Sequence, residues 1–581
     1  MSKHSVLFPG GIALQVEDGI TLKEVMNDAG INFDFPCGGR GRCGKCLVKI
    51  TEGVGEPLEA EKKKLSPEQI SEGIRFACLT KVHNDLKVDF LSSKNVQHRI
   101  LLSSLNRAAK VEPHFTKRYL EVEKATLTYH RTDWQRIKDG LMAQGKNISV
   151  TGTPLVVVQS VPDLLRDNQN KITAVMLNDE IRGLEAGNTS EKMYGMAFDI
   201  GTTTIAGFLM DLYTGEELSV ASTLNPQTQF GADVISRIGY ANENPDGLAN
   251  LHRVVTKAIN GLIGEAAAKA GISRQDIYAV TVVGNTCMHH LFLGINPRDV
   301  ALAPYVPVIS EKMEVDPELL QLEINPAGKV FVLPNVAGFV GADTIGVLLA
   351  TELDESEDIK LVVDIGTNGE MALGNKDRIL ACSTAAGPAF EGAQITCGMR
   401  GASGAIDHLT VSEDLEYTVI DDVEPIGICG SALLDAVAVL VESGMLDERG
   451  RLKKPEDITH PIGKKLKHRL IEYNGTPAFL LAEANGRQIV VTQKDIRELQ
   501  LAKGAIAAGI RILMKNYGID TDEIKEVQLA GAFGNYLNPH SACVIGLIPA
   551  ELEDRITMVG NAAGAGAKLA LLSSSEYERA A

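Results

Sequence analysis

Two segments of the chain repeat one pattern of hydrophobic and polar positions. The first, Met196-Ala-Phe-Asp199-Ile-Gly-Thr-Thr-Thr204, is an apolar run that ends in Asp-Ile-Gly-Thr, and the second, Leu361-Val-Val-Asp364-Ile-Gly-Thr-Asn-Gly369, repeats it. A second apolar run follows each motif, and a polar turn then leads into further apolar positions. This order predicts three consecutive β-strands in each segment.

Two later pairs of segments extend the repeat. Asn335-Val-Ala-Gly-Phe-Val-Gly-Ala342 resembles Asn561-Ala-Ala-Gly-Ala-Gly-Ala567, and Val282-Val-Gly-Asn285 resembles Leu529-Ala-Gly-Ala532. The offsets differ: 165 residues (199 to 364), 226 residues (335 to 561) and 247 residues (282 to 529). Unequal offsets exclude a tandem array, so we expect two copies of one α/β domain, the second with an insertion near 400–500.

The first part of the chain has other patterns. Val6–Pro9 and Ile12–Val16 predict a hairpin, and Thr21-Leu-Lys-Glu24 predicts a capping box that opens a short helix. Further on, Thr132-Asp133 is expected to cap a helix that runs to about Ala143. Residues 171–186 are typical of another hairpin. These patterns divide the chain into a first domain at 1–92, a linker at 93–110, a small α+β middle domain at 111–192, and two related subdomains at 193–352 and 353–581.

Composition narrows the functional classes. The 581 residues are 44% hydrophobic and 23% charged, which is enough apolar material for several buried cores and excludes wholesale disorder. A net charge of −18 argues against nonspecific nucleic-acid binding. The apolar stretches fall short of the ~20 residues of a membrane span, and we find no signal peptide, so a cytoplasmic location without a membrane partner is expected.

The nine cysteines are unevenly distributed along the chain. Cys37, Cys43, Cys46 and Cys78 lie near the N-terminus, and three of them form a C-x5-C-x2-C pattern with glycines between them. The first gap is one residue longer than in the plant-type C-x4-C-x2-C pattern and resembles the variant of other [2Fe–2S] ferredoxins, whereas structural zinc sites usually have two C-x2-C pairs. The order of hairpin, helix and cysteine loop resembles the ferredoxin β-grasp. Structural zinc and free thiols remain as alternatives. Arg40, Arg42 and Lys45 in the same loop either steer an acidic partner or are solvated charges.

The repeated Asp-Ile-Gly-Thr motif has a chemistry of its own. A tight turn of glycine and hydroxyl residues directs backbone N–H groups towards one anion, and an aspartate at the strand end can hold hydrated Mg²⁺. Two such turns that face each other predict a clamp on the β- and γ-phosphates of a nucleotide. The candidate residues are Asp199, Gly201, Thr202, Thr203 and Thr204 in the first motif, Asp364, Gly366, Thr367, Asn368 and Gly369 in the second, and Gly531, Ala532 and Gly534, where adenosine is expected to rest.

Other residues leave alternatives open. Glu391 either orients the attacking water or is an acid at a helix N-terminus. His289 and His290 could ligate cobalt, but packing or hydrogen bonding at a helix start is the more common role of adjacent histidines. The remaining cysteines lie beside apolar or small residues and are interpreted as small core hydrophobes; they are Cys287, Cys382, Cys397, Cys429 and Cys543.

The C-terminal 390 residues resemble the acetate and sugar kinase, heat-shock chaperone and actin superfamily, which has two ribonuclease-H-like domains around an ATP cleft. In combination with a [2Fe–2S] ferredoxin domain, essentially the whole chain resembles the reductive activators of corrinoid proteins. Three segments fit that group as well: Asn225-Pro-Gln-Thr-Gln-Phe-Gly-Ala-Asp233, Gly284-Asn-Thr-Cys-Met-His-His290 and Ala386-Gly-Pro-Ala-Phe-Glu-Gly392. Some members carry an extra cysteine-rich [4Fe–4S] domain, but no cysteine follows Gly546 here, so one cluster is expected.

The resemblance implies an ATP-hydrolysing reductase that passes one electron from the cluster to Co(II), restoring Co(I) for methyl transfer in one-carbon metabolism such as O-demethylation. It also implies a separate corrinoid protein of a methyltransferase system as partner and an upstream electron donor; a homodimer is a further expectation. The alternatives are an electron-donating activator of a non-corrinoid reductase or dehydratase, a small-molecule kinase with a ferredoxin domain, and a nucleotide-switched binding module.

Overall fold

A computed structural model describes residues 3–9, 12–29, 31, 44, 46–90, 110–145, 154–392, 394–534 and 536–581. The first unit is a five-stranded sheet of order β2-β1-β5-β3-β4 that packs against α1. The predicted hairpin forms from β1 and β2, and Glu24 Oε2 accepts the backbone N–H of Thr21 at 2.8 Å, as the predicted capping box requires. Its elements are β1 (Lys3–Phe8), β2 (Ile12–Glu17), α1 (Leu22–Asp28), β3 (Leu47–Glu52), α2 (Glu59–Lys62), α3 (Pro67–Ser71), β4 (Ile74–Phe76) and β5 (Leu86–Phe90).

The second unit is a three-stranded antiparallel sheet with two helices. Thr132 caps α4 by accepting the N–H of Gln135 at 3.2 Å, as predicted, and the expected hairpin forms from β7 and β8. The sheet is anchored to the end of the chain, because the buried His114 ring lies 2.8 Å from the carbonyl of Ala570. Its elements are β6 (Phe115–Glu121), α4 (Asp133–Gln144), α5 (Leu155–Asp167), β7 (Lys171–Leu177) and β8 (Glu180–Ala186).

The third unit is a six-stranded sheet of order β11-β10-β9-β12-β14-β13. The three strands predicted around the first Asp-Ile-Gly-Thr motif are adjacent and antiparallel, and β12 pairs with β9 in parallel. Its elements are β9 (Tyr194–Ile200), β10 (Thr204–Asp211), β11 (Glu217–Leu224), α6 (Val234–Glu243), α7 (Gly247–Ala270), β12 (Ile277–Gly284), α8 (Thr286–Leu293), β13 (Met313–Val315), β14 (Lys329–Val332) and α9 (Ala342–Thr351).

The fourth unit repeats this arrangement in the order β17-β16-β15-β24-β25. Two small three-stranded sheets, β19-β18-β20 and β21-β22-β23, lie in the chain between β17 and β24. Its elements are β15 (Lys360–Ile365), β16 (Gly369–Asn375), β17 (Arg378–Thr384), β18 (Ala405–Val411), β19 (Leu415–Val419), β20 (Gly427–Ile428), α10 (Gly430–Glu442), α11 (Pro461–Leu466), β21 (Leu470–Tyr473), β22 (Thr476–Ala484), β23 (Arg487–Thr492), α12 (Gln493–Tyr517), β24 (Glu526–Ala530), α13 (Gly531–Gly534), α14 (Pro539–Val544), β25 (Ile556–Gly560), α15 (Ala562–Leu572) and α16 (Ser574–Arg579).

Helices α9 and α15, which follow the Asn335 and Asn561 segments, cross at glycines. A Cβ on Gly566 would lie 2.0 Å from the carbonyl oxygen of Gly346, and a Cβ on Gly346 would lie 2.8 Å from that of Ala563. One apolar cluster holds residues of both helices together with Phe208 of the first sheet and Val362 of the second. The two sheets are therefore joined through a backbone contact between helices. Among the described helices, none is both long and apolar enough to cross a bilayer.

The substitution Gly566→Ala tests this crossing. The added methyl group meets backbone that cannot rotate away, so we expect the free energy of unfolding to fall by about 1–3 kcal/mol. Gly504→Ala is the matched control: it also lies inside a helix, but no atom lies within 4 Å of its added Cβ. The control should raise stability by about 0.4–1 kcal/mol. Urea denaturation of the two variants measures the difference, and equal midpoints would contradict the close approach.

Candidate functional site

The two Asp-Ile-Gly-Thr motifs form tight hairpin turns at the ends of β9 and β15. Ile200 pairs with Ile205 across the first hairpin, and Ile365 pairs with Gly369 across the second. Each turn holds glycine, threonine and, in the second, Asn368, while Thr204 and Gly369 already belong to the following strands. The predicted phosphate-binding residues are thus placed together at the turn or one step beyond it.

Glu391 links the two hairpins. It ends a short 3-10 turn, and its carboxylate accepts a hydrogen bond from the Thr203 hydroxyl at 3.2 Å and a second one from the Thr367 hydroxyl. The first donor belongs to one copy of the repeat and the second to the other. The hairpins therefore face each other across a cleft with one carboxylate between them.

Four half-buried carboxylates lie beside these turns. Burial and the nearby charge of Asp343 raise the pKa of Asp199 to about 7. Burial, followed by the charges of Asp343 and Asp199, raises the pKa of Asp364 to about 7 as well. Asp343, at the start of α9, has a pKa raised to about 6 by burial, and burial also raises that of Glu370. So many enclosed carboxylates repel one another, and a divalent cation would relieve that repulsion.

Sequence reasoning missed Asp343 and Glu370 as members of this cluster. Each occurs in only one copy of the repeat: α15 begins with Ala562-Ala563-Gly564, and Ile205 follows the first motif where Glu370 follows the second. The repeat therefore could not identify them. Two sequence positions could have identified them. Asp343 lies in the first turn of the helix that the Asn335 segment starts, and Glu370 directly follows the second Asp-Ile-Gly-Thr motif.

Gly531 brings the predicted adenosine segment against the second hairpin. Its φ is +88°, and a Cβ there would lie 2.4 Å from Asp364 Oδ1 and 2.8 Å from the carbonyl oxygen of Ile365. Only glycine fits both the backbone angle and the space. Gly531, Ala532 and Gly534 all belong to α13, directly after β24. The three predicted nucleotide segments thus converge at one cleft.

Residues behind the first hairpin hold it in place. Asn225 donates from its side chain to the carbonyl of Gly201 at 2.9 Å and from its backbone to that of Thr203 at 2.8 Å. The Asn285 side chain donates to the Thr202 hydroxyl at 2.9 Å. Two of the sequence segments that had no assigned role, those starting at Asn225 and Gly284, therefore support the first hairpin turn.

At the other end of the molecule, Cys46 and Cys78 are buried and their sulfur atoms lie 3.1 Å apart. The Ala77 N–H donates to the Cys46 carbonyl at 2.8 Å, which ties the two segments together. Two adjacent buried thiols fit half of a four-thiolate [2Fe–2S] site. The predicted ligands Cys37 and Cys43 lie outside the described residues, as do Arg40, Arg42 and Lys45.

The histidine pair of α8 packs inside the protein. His290 bonds to the Thr286 carbonyl at 2.7 Å and accepts the Val308 N–H at 3.0 Å. His289 is buried without a hydrogen-bond partner among the described residues, and burial lowers its pKa to about 3. Cys287, Cys429 and Cys543 are buried, whereas Cys382 and Cys397 are half-buried against an apolar cluster.

Comparison with protein families matches four successive segments. Residues 8–83 match the 2Fe-2S iron-sulfur cluster binding domain, 104–191 the RACo linker region, 194–356 the RACo middle region, and 358–581 the C-terminal domain of RACo, the ASKHA domain. ASKHA denotes the acetate and sugar kinase, heat-shock chaperone and actin superfamily. These matches confirm the predicted fold class and the predicted pairing of a [2Fe–2S] cluster with ATP.

Individual relatives cover most of the chain. A corrinoid activation enzyme, RamQ, of Eubacterium limosum is 35% identical over 98% of this chain and 93% of its own length. A [Co(II) methylated amine-specific corrinoid protein] reductase of Methanosarcina barkeri is 27% identical over 66% of this chain and 71% of its own. A solved structure named as a reductive activator for a corrinoid, iron-sulfur protein is 35% identical, covers 99% of this chain and 94% of its own, and has a TM-score of 0.72.

The position of Glu391 between the two hairpins leads to a prediction for Glu391→Gln. The amide keeps the size of the side chain but cannot accept a proton from water, so we expect the kcat for ATP hydrolysis to fall by about 10²–10⁴-fold while the Kd for ATP stays within a few-fold. Steady-state hydrolysis and equilibrium binding measure the two quantities. Glu413→Gln, on the exposed turn between β18 and β19, is the control. An unchanged kcat in Glu391→Gln would remove this residue from the reaction.

Proposed function

The chain belongs to the family of reductive activators of corrinoid proteins, and we propose that it uses ATP to drive one electron from its [2Fe–2S] cluster onto the Co(II) corrinoid of a partner protein. The product is Co(I), which accepts a methyl group. One observation carries the proposal: an ATP cleft closed by Glu391 and a ferredoxin domain with adjacent Cys46 and Cys78 occur in the same chain.

ATP is needed because the Co(II)/Co(I) couple of a corrinoid has a lower reduction potential than the cluster that supplies the electron. Plant-type ferredoxin clusters have potentials near −400 mV, and the Co(I) state of a corrinoid is harder to reach still. Conformations that bind the two cobalt states with a ~10⁴-fold difference in affinity differ by ~5.5 kcal/mol. At ~59 mV per decade for one electron, that difference shifts the couple by about 240 mV. A hinge motion between the two ATPase sheets that switches the protein between two such conformations is sufficient for a shift of this size.

We assign the residues of the cleft as follows. The backbone N–H groups and hydroxyls of the two hairpin turns bind the phosphates, and Asp199 and Asp364 hold hydrated Mg²⁺ together with Asp343. Glu391 exchanges its threonine partners for the attacking water. It accepts the proton of that water as the water oxygen bonds to the γ-phosphorus and the bond from this phosphorus to the departing ADP breaks. Thr203 and Thr367 then donate to phosphate oxygens. The exchange makes the two hairpins respond to the nucleotide, because each loses its shared carboxylate when ATP enters.

The four N-terminal cysteines are assigned to the cluster, which supplies one electron at low potential when bound. The protein around Cys46 and Cys78 buries both thiols, and the N–H of Ala77 holds the Cys46 segment against the Cys78 loop at 2.8 Å. Burial excludes water from this side of the site. Cys37 and Cys43 complete the ligand set in this assignment.

A chain of hydrogen bonds runs from the cluster segment to the ATP cleft. The Lys23 N–H donates to the Ala77 carbonyl at 3.1 Å, one residue before Cys78. The Lys23 ammonium donates to the Gln229 carbonyl at 2.5 Å. Gln229 ends the 3-10 turn that starts beside Asn225, the residue that holds the first phosphate turn. A shift of that turn on ATP binding would therefore reach the ferredoxin domain.

The partners follow from this chemistry. The family acts on corrinoid proteins, and we place the corrinoid on a separate protein of a methyltransferase system, with O-demethylation as one such system. An upstream electron donor must reduce the cluster before each transfer. A cytoplasmic location and a homodimer complete the proposal; the reducing conditions that a low-potential cluster requires support the former.

The central experiment mixes the reduced protein, ATP and a Co(II) corrinoid protein and follows cobalt by visible absorbance. We expect conversion to Co(I) that requires ATP. Asp364→Asn, which removes one negative charge from the proposed Mg²⁺ site, should lower ATP turnover by about 10²–10³-fold and abolish Co(I) formation, while the cluster is still reduced. Full Co(I) formation by Asp364→Asn without ATP turnover would disprove the coupling, and no Co(I) with any corrinoid protein of the same organism would disprove the function.

The contact of Lys23 with Gln229 gives a second prediction. Lys23→Met keeps the length of the side chain but removes the donor, so we expect ATP hydrolysis to stay near the wild-type rate while the number of electrons delivered per ATP falls several-fold. Lys62→Met is the control, because Lys62 pairs only with the exposed Glu59 of its own domain in the contacts that the structure records. Equal electron delivery by the two variants would show that Lys23 does not couple the domains.

A further inference from the structure

A polar cavity of about 420 Å³ opens on the outer face of α7, outside the ATP cleft and the cysteine segment. Its size falls within the ~300–1,000 Å³ of small-molecule sites. One wall is a stripe of α7 residues at helical spacing, and the opposite wall comes from the segments before β12 and β14. The side chains that line it include Arg253, Thr256, Lys257, Asn260, Arg274 and Glu323.

Hydrogen bonds fix the two walls relative to each other. Asn260 donates to the Gln321 carbonyl at 2.8 Å and accepts the Glu323 N–H at 2.8 Å. Arg274 forms an ion pair with Glu323, and its guanidinium lies against α7, where a Cβ on Gly264 would meet it. The cavity is therefore formed in advance by contacts within the protein.

The charge of the cavity is positive although the whole chain is acidic. Arg253, Lys257 and Arg274 contribute three cations against the single carboxylate of Glu323, a local balance of +2 in a chain of net charge −18. Within the described ranges, no ion pair is recorded for Arg253 or Lys257, and the contact recorded for Arg253 is a neutral one, to the Asn250 side chain at 3.1 Å. Two cations at this wall are thus available to an anion.

Thr256 provides an independent indication of a ligand. It lies between Arg253 and Lys257 on the cavity wall and is only 4% exposed, yet its hydroxyl has no hydrogen-bond partner among the described residues. A buried hydroxyl without a partner costs free energy that a bound acceptor can recover. A helical threonine usually satisfies this group on the preceding turn, so its unpaired state fits a site completed from outside.

We propose that this cavity binds a small organic anion that carries a phosphate ester and a second negative group. Arg253 and Lys257 pair with the two anionic groups, and the Thr256 hydroxyl donates to a phosphate oxygen. Asn260, whose side chain hydrogen-bonds to the opposite wall, fixes the position of the α7 residues that line the cavity. The site is separate from the nucleotide cleft, and its existence does not depend on corrinoid reduction.

The test is calorimetric titration of the full-length protein with 3-phosphoglycerate, which carries one phosphate and one carboxylate. The ATP cleft is first saturated with Mg²⁺ and a non-hydrolysable ATP analogue, so that the probe cannot bind there. We expect one site per chain with a Kd below about 1 mM, weakened by added KCl. Inorganic phosphate should bind at least several-fold more weakly, because it reaches only one cation. The absence of binding up to 10-fold above that Kd would overturn the proposal.

Two variants locate the binding. The double variant Arg253→Gln and Lys257→Gln should weaken binding at least about tenfold, since charge-assisted hydrogen bonds are lost. Thr256→Val, which keeps the shape of the side chain, should weaken it about threefold while leaving the fold intact. Lys269→Gln, a cation on the same helix but outside the cavity, is the control and should bind like wild type. Unchanged affinity in the double variant or in Thr256→Val would show that the probe binds elsewhere.

Discussion

The contact of α9 with α15 is the constraint on which the site depends. Gly346 and Gly566 allow the two helix backbones to touch, and each helix begins at the cleft. Asp343 lies in the first turn of α9, and Asn561, which caps α15, hydrogen-bonds to Asp199. The relative position of the two sheets and the spacing of the cleft carboxylates are thus set together. A change of angle at the crossing must change the distance between the phosphate turns.

The same arrangement makes Glu391 a bridge between the two copies of the repeat. Its carboxylate accepts hydrogen bonds from Thr203 and Thr367, one from each copy. Burial, and then the charge of Asp343, raises the pKa of both Asp199 and Asp364 to about 7, so a nearby cation would favour their charged forms. In the function that we propose, ATP takes the place of the shared carboxylate and its cation supplies positive charge, so that nucleotide binding and movement of the two hairpins are coupled.

Local patterns were sufficient for many elements of the fold. The capping box at Thr21, the helix cap at Thr132, the hairpin that starts at Lys171 and the strands around both Asp-Ile-Gly-Thr motifs all form where the sequence predicts them. Each depends on contacts within a few residues, which is why spacing alone reveals it. The sequence also placed Gly531 directly after a strand, as the structure does, but its close approach to Asp364 is visible only in the structure.

The sequence by itself determined the two phosphate turns, the cysteine spacing and, through their combination, the family. It left Glu391 with two roles and did not reveal Asp343 or Glu370. Only the tertiary structure placed Glu391 between the two hairpins and brought Asp343 and Glu370 into one cluster, because these contacts join distant parts of the chain: Glu391 meets Thr203 from 188 positions away. Acidic side chains are common, and an isolated one has no spacing that marks it. Only the packing of the folded chain brings their charges into one cleft.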